Sequence, residues 1–356
     1  MDSTPLLEVD ALKVALPSAR GMAEALRGVA FTIARGETLG LIGESGCGKS
    51  MTALALMGLL PERAVATGSI RLQGQELIGL HDAAMCRLRG HRIGMVFQEP
   101  MTALNPLHTI GHQVAEPLRL HKGLSRSAAR AEALRLLDRV QLPNAAQRLD
   151  AHPHQLSGGQ RQRVMIAMAL ACGPELLIAD EPTTALDATI QADILELIST
   201  LVIEEQMALL LISHDLGVMA RTVGRVLVMY GGTVVESGPT AQVFAHLAHP
   251  YTRGLFAARP RMGTPRVNGR KPLLATIPGR VPELVDLPPG CPFTERCGWA
   301  VPACAAAPPP AVAVGPAHEA RCIRLDVVSG ASGGAVASVA PVDAVSAVSA
   351  VRATPA

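Results

Sequence analysis

The run Gly43-Glu44-Ser45-Gly46-Cys47-Gly48-Lys49-Ser50 fits the pattern G-x-x-x-x-G-K-[ST] without a mismatch. Before it, Glu37-Thr38-Leu39-Gly40-Leu41-Ile42 reads as a short buried strand. After it, Ser50 to Leu60 is rich in Ala, Leu and Met and stops at Pro61, which predicts a helix. A glycine-rich loop between a strand and a helix start turns successive N–H groups inward on an anion, and the helix N-terminus adds partial positive charge. Lys49 is then expected at the β- and γ-phosphates and Ser50 on Mg²⁺, with the whole run from Gly43 to Met51 forming the cradle. The expected ligand is a nucleoside triphosphate; the bland reading is a glycine-rich turn carrying one exposed lysine.

At 356 residues and 49% hydrophobic, the chain is long enough for one large α/β domain with an appendage, or for two domains. Lys+Arg 32 against Asp+Glu 30 leaves a net charge of +2, too near balance for a nucleic-acid surface, and no nucleic acid is expected as a partner. Mean hydropathy is high at +0.28. The longest apolar runs, Val164–Cys172 and Met207–Ile212, nevertheless fall well short of the ~20 residues that span a bilayer. Met1-Asp2-Ser3-Thr4-Pro5 has neither a basic nor an apolar leader segment, so a reducing cytosol is expected and the seven cysteines are not expected to form disulfides.

Along the chain, residues 6–16 and 26–34 alternate as strands ahead of the loop, and Gly68 to Leu72 reads as another. Arg92 to Phe97 is an apolar run that delivers Gln98 at its tip. From Pro100 to about Asp150 the pattern turns helical, with Ala129, Ala133, Leu136, Leu137 and Val140 at helical spacing. Leu156-Ser157-Gly158-Gly159-Gln160 opens a helix over Arg161–Cys172. Glu175 to Glu181 is a buried strand ending in two carboxylates, Ala208–Ser213 is another ending in His214-Asp215, and Arg225–Tyr230 with Gly232–Glu236 reads as a hairpin. Alternating strands and helices imply a mostly parallel sheet with functional residues at strand ends. Asp180 then stands where a carboxylate would hold Mg²⁺, and Glu181 where one would polarise an attacking water. Ser157 is expected to cap its helix, and Gly158 and Gly159 to expose N–H groups, making a second anion site.

Together these elements resemble the nucleotide-binding subunit of an ABC transporter over residues from about 6 to 325, and Leu156 to Gln160 is the most specific of them. The resemblance implies an α/β P-loop NTPase of the ABC type, with an antiparallel β part and a helical subdomain at about 100–165, within residues 1–246. It implies that Gln98 touches Mg²⁺ and the attacking water, that His214 contacts the γ-phosphate, and that Ser157, Gly158, Gly159 and Gln160 close on the other subunit's ATP. Thr183-Thr184-Ala185-Leu186-Asp187 resembles the loop by which each subunit reaches its partner's site. Gln98 to Pro106, Pro250-Tyr251-Thr252-Arg253-Gly254-Leu255 and Gly290-Cys291-Pro292-Phe293 look like the dipeptide/oligopeptide importer branch. The implied partners are integral membrane permease subunits, a second ATPase subunit in a homo- or heterodimer and, indirectly, an extracytoplasmic solute-binding protein. The implied place is the cytoplasmic face of the bacterial inner membrane. The alternative within the family is a soluble ATPase acting in translation or repair. No aromatic residue precedes Phe31 to stack on adenine, which leaves Leu16, Arg20 or Met22 to cover the base. Cys47, beside Lys49 and a helix start, is expected to be a reactive thiolate that ATP protects, with a buried inert thiol as the alternative.

Beyond about His246 prolines multiply, and residues 247–325 form a loop-rich region with little capacity for its own core. Cys291, Cys297, Cys304 and Cys322 fall here, and four thiolates suit zinc or an iron–sulfur cluster. Without a C-x₂-C knuckle the spacing leans to [4Fe–4S], and the resemblance points the same way; four reduced, packed thiols are the alternative. Residues 326–356 read as a disordered tail.

Overall fold

The computed structural model describes residues 4–184, 186–259 and 275–330. Ala185 and the part of the expected tail from 331 to 356 lie outside the described residues, as do the side chains of Pro100 and Met101. The strands, in chain order, are β1 (Leu7–Ser18), β2 (Gly21–Ile33), β3 (Thr38–Ile42), β4 (Val65–Leu72), β5 (Gln75–Glu76), β6 (Ile93–Val96), β7 (Leu176–Asp180), β8 (Ala208–Ile212), β9 (Arg225–Tyr230), β10 (Thr233–Pro239), β11 (Val312–Gly315) and β12 (His318–Ala320).

Two sheets result. The first is antiparallel, ordered β2-β1-β4-β5. Its long hairpin buries Leu7, Val9, Leu12 and Val14, and the step from Val9 to Leu12 breaks the period of two at a bulge where Ala11 has φ +46. Gly68 must lack a side chain opposite that bulge, since a Cβ there would lie 2.5 Å from the Ala11 carbonyl oxygen. The second sheet is ordered β11-β12-β10-β9-β3-β8-β7-β6, and β9, β3, β8, β7 and β6 run parallel. Every residue of β6, β7 and β8 is buried, as expected of strands covered on both faces, and such runs carry no alternation.

Helices cover this sheet. α1 (Lys49–Leu56) follows β3 and ends earlier than the sequence suggested, because Gly58 leaves the helix with φ +60. After α2 (Asp82–Leu88), the helical insertion comprises α3 (Pro100–Ala103), α4 (Ile110–Lys122), α5 (Arg126–Arg139) and α6 (Ala145–Arg148). Its apolar faces, including Val114, Leu118, Ala133 and Leu137, join one core with Val164 and Ile166 of α7 (Gly158–Leu170). α8 (Ala188–Glu204) and α9 (Leu216–Thr222) complete the wrap.

The loop-rich C-terminal region packs onto the main sheet. α10 (Thr240–Ala245) and α11 (Pro250–Ala257) lead into it, β11 and β12 extend the main sheet through β10, and Phe293 lies in the main core. α12 (Pro302–Ala306) carries Cys304, and α13 (Leu325–Gly330) takes up the first residues of what the sequence suggested was tail. Val328 there is fully buried, and its carbonyl accepts from Arg253 at 2.5 Å.

Candidate functional site

Because β3, β8, β7 and β6 are parallel neighbours in that order, their C-terminal tips deliver four loops to one edge of the sheet. β3 leads to the glycine-rich loop, β8 to Ser213-His214, β7 to Asp180-Glu181 and β6 to Gln98. Sequence separations of more than a hundred residues thus collapse into one row.

The loop needs its glycines for two reasons. A Cβ on Gly43 would lie 2.3 Å from the Met229 carbonyl oxygen, while Gly46, which has open space, takes φ +81. Lys49 is buried at 5% exposure and folds back on the loop, donating from Nζ to the carbonyls of Gly43 at 2.8 Å and Glu44 at 3.1 Å. Ser50, Met51 and Lys49 form the first turn of α1, so their N–H groups are among those a helix leaves unpaired. The Glu44 N–H is different: it donates to the Tyr251 hydroxyl at 2.6 Å, and the Cys47 N–H turns back on the Glu44 carbonyl at 3.3 Å. Cys47 is fully buried, and burial pushes its thiol up in spite of nearby Lys49, which corrects the expectation of a reactive thiolate.

Asp180 is 5% exposed, and its Oδ1 has no hydrogen-bond partner. Burial raises its carboxyl; the Ser50 hydroxyl, within hydrogen-bond reach, opposes that, Glu181 adds to it and Lys49 opposes it. An orphaned buried carboxylate oxygen beside a serine hydroxyl suits a hard divalent cation such as Mg²⁺.

Glu181 gathers three groups on one oxygen. Its Oε2 lies 3.4 Å from His214 Nδ1, 3.4 Å from Gln98 Nε2 and 3.0 Å from Thr184 Oγ1. Thr184 was not singled out for this contact from the sequence, where it read only as part of the loop toward a partner. Asp215 caps α9, accepting from Gly217 at 2.7 Å and Val218 at 3.1 Å.

At α7, Ser157 and Gln160 form a reciprocal capping box: Ser157 Oγ accepts from Gln160 N at 3.4 Å, and Gln160 Oε1 accepts from Ser157 N at 3.0 Å. Arg148 also donates to that Oε1, at 2.9 Å. Ser157 and Gly158 are exposed. Gly159 is buried, and its lack of a side chain serves packing, because a Cβ would meet Ile190 Cγ2 at 2.8 Å. Asp187 caps α8, accepting from Ile190 N at 3.1 Å.

Of the residues expected near adenine, Arg20 is committed elsewhere. At the tip of the β1–β2 hairpin it pairs with Asp286 at 2.8 Å and Glu283 at 2.6 Å, while Met22 stays 53% exposed. The C-terminal region reaches the glycine-rich loop as well, where Arg296 forks the Glu44 carboxylate at 2.6 and 3.1 Å.

Cys291, Cys297, Cys304 and Cys322 line one small cavity of about 20 Å³ together with His249. Among the described residues no three His, Cys, Asp or Glu stand at metal-holding spacing. The Cys291 thiol is pushed up to about 11, first by burial and further by the other three thiols, against a backbone N–H at Phe293. His249 Nδ1 accepts from Tyr251 N at 3.1 Å, so the ring proton sits on Nε2, and that atom is buried with no partner.

A phosphate loop and strand-end carboxylates on one sheet edge, together with a capped glycine helix, define an ABC-type ATPase. The comparisons agree: a family model described as "ABC transporter" matches residues 26–184, and one described as "Oligopeptide/dipeptide transporter, C-terminal region" matches 235–304. A protein of Brucella melitensis named as a peptide import ATP-binding protein is 49% identical over 332 residues, 91% of this chain and 98% of that one. The oligopeptide transport ATP-binding protein OppD of Haemophilus influenzae is 48% identical over 304 residues, 85% of this chain and 93% of its own. The dimeric structure of MJ0796, a bacterial ABC transporter cassette, superposes with a TM-score of 0.59 at 30% identity, covering 66% of this chain and 98% of that chain. The chain belongs to the ABC transporter ATP-binding family and carries the oligopeptide/dipeptide-type C-terminal region.

Proposed function

We propose that this ATPase powers a peptide importer by binding and hydrolysing ATP between two cassettes. The observation that carries the reading is the meeting of His214, Gln98 and Thr184 on Glu181 Oε2, at the tip of β7, which β8 separates from the strand of the phosphate loop. In this reading Glu181 polarises the attacking water, and Gln98 and His214 orient it and the γ-phosphate. Lys49 leaves its loop carbonyls to hold the β- and γ-phosphates, and the N–H groups from Ser45 to Met51 cradle them. Ser50, Asp180 and Gln98 hold Mg²⁺, which when bound neutralises phosphate charge. Ser157, Gly158, Gly159 and Gln160 close on the ATP of the opposing subunit, with Asp187 at the same seam, so that binding drives closure and hydrolysis reverses it.

The opposing subunit is a second ATPase, either a copy of this chain or a relative, and the substrate class follows from the two named relatives and the matched C-terminal region. Integral membrane permease subunits, which this ATPase meets at the cytoplasmic face of the membrane and a solute-binding protein supplies from outside, complete the importer. Leu107 at 82% exposure and Leu120 at 73% leave apolar surface on the helical insertion for such a contact. Among the described residues no helix is long and apolar enough to cross a membrane. We divide the chain into an ATPase domain to 246, a C-terminal region over 247–325 and a tail beyond. Co-purification with the permeases, followed by measurement of ATP turnover with and without peptide-loaded binding protein, tests the reading. Peptide-stimulated turnover is expected; turnover indifferent to the permeases would contradict it.

Cys291, Cys297, Cys304 and Cys322 are proposed to hold a [4Fe–4S] cluster, for which the lining of one small cavity by all four cysteines, beside the unpartnered Nε2–H of His249, is the support. When bound, such a cluster supplies a structural staple with redox capacity. Anaerobic purification with iron analysis and visible absorption decides: brown, iron-loaded protein is expected, stoichiometric zinc would replace iron, and colourless metal-free protein would overturn the proposal.

A further inference from the structure

An acidic residue inside an anion-binding loop is a liability, and Glu44 is one. Its backbone is pinned from both sides, the N–H by the Tyr251 hydroxyl at 2.6 Å and the carbonyl by the Cys47 N–H at 3.3 Å. The carboxylate therefore stays beside the cradle whatever the nucleotide does. Left unpaired there, it would repel incoming phosphates and compete with them for Lys49, the other charged side chain of the loop.

The side chain that meets it comes from 252 residues away. Arg296 is 5% exposed and holds Glu44 through two parallel bonds, Nη1 to Oε2 at 2.6 Å and Nη2 to Oε1 at 3.1 Å. The guanidinium has no freedom to wander. Its Nε donates to the Pro278 carbonyl at 2.8 Å, Nη1 also donates to the Tyr230 hydroxyl at 3.3 Å, and its centre lies 5.7 Å from the Tyr230 ring centroid and 6.0 Å from that of Phe293. Its neighbours in turn are seated by the buried Glu236, which accepts from Ala248 N at 2.8 Å and His249 N at 2.9 Å and so fixes the start of α11, from which Tyr251 projects.

We propose that Arg296 is the counter-charge of Glu44, so that the C-terminal region completes the electrostatics of the ATP site in cis. Arg296 is a positioning residue: it acts on the nucleotide through Glu44. A purely structural arginine, one that only anchors the C-terminal region, would give a defect that no change at Glu44 repairs. A counter-charge gives a defect that disappears with the charge it neutralises.

The experiment is a set of equilibrium ATP-binding measurements on the full chain. Arg296→Gln should weaken ATP binding about tenfold, and the loss should shrink as salt is raised from about 0.05 M to about 0.5 M. Adding Glu44→Gln to that variant should restore affinity to within about twofold of the Glu44→Gln single variant. Unchanged affinity in Arg296→Gln, a salt-independent loss, or two defects that simply multiply would each overturn the proposal. Should Arg296→Gln fail to fold, Arg296→Lys replaces it. A point charge that cannot fork the carboxylate should bind ATP about threefold more weakly, again repaired by Glu44→Gln, and a loss that Glu44→Gln leaves in place would overturn the proposal.

Discussion

Glu181 Oε2 lies 3.4 Å from His214 Nδ1, and the backbone that puts it there is left-handed, with φ +43 at a residue that is not glycine. Such a conformation costs of the order of 1–3 kcal/mol and persists only where its surroundings enforce it. Here the Glu181 N–H donates to the Ile212 carbonyl at 2.9 Å, continuing the β7–β8 pairing one residue past the strand, while Thr184 holds the carboxylate from the other side. The strain holds that one oxygen among His214, Gln98 and Thr184.

Gly159→Ala is expected to destabilise the protein. Alanine gains about 1 kcal/mol of helix propensity over glycine, but its Cβ would lie 2.8 Å from Ile190 Cγ2, on a β-branched side chain that cannot swing away. Overpacking of that kind costs about 1–3 kcal/mol, so the net change should be a loss of about 1 kcal/mol, read by denaturant unfolding. A more stable variant would show that the α7–α8 contact is looser than described.

Cys86, exposed on α2, should react with iodoacetamide in the native protein, whereas Cys47 should stay unlabelled with or without ATP. Burial, which raises the Cys47 thiol and shuts out the reagent, outweighs the charge of Lys49. Peptide mapping after labelling checks this, and rapid ATP-sensitive modification of Cys47 would refute it.

Glu175, at the start of β7, pairs with Arg92 at 2.7 Å and Arg35 at 2.8 Å and accepts from Gln73. Burial raises its carboxyl, but the bonds from Arg92 and Gln73 and the charges of Arg92 and Arg35 prevail and hold it below its usual 4.5. A depressed carboxylate contributes stability above its unfolded pKa and loses it as pH falls through the folded value. Glu175→Gln should therefore be about 1 kcal/mol less stable than wild type at pH 7, with the gap closing below pH ~4.5. A gap of constant size across that range would contradict the assignment.

Much of the site was readable because its parts are local. The glycine-rich loop, the capping box at Ser157 and Gln160, and the carboxylates at the end of β7 each declare themselves within eight residues. What was not readable depends on distance along the chain. Nothing in Gly43-Glu44-Ser45 announces that Arg296 and Tyr251 will meet it, nor does Arg20 announce Asp286 and Glu283. The same holds for Cys47, whose neighbours in sequence favour a thiolate and whose neighbours in space bury it. β11 and β12 read as loop because they are three or four residues long and gain their order from pairing, β12 with β10 and β11 with β12.

Glu181→Gln tests the central claim most directly. The amide keeps the shape of the side chain but cannot polarise water, so the variant should bind ATP with wild-type affinity and turn it over at least about a hundredfold more slowly. It should also accumulate as an ATP-bound dimer with its partner subunit, seen by mass measurement of the native complex. Wild-type turnover in the purified transporter would contradict the account.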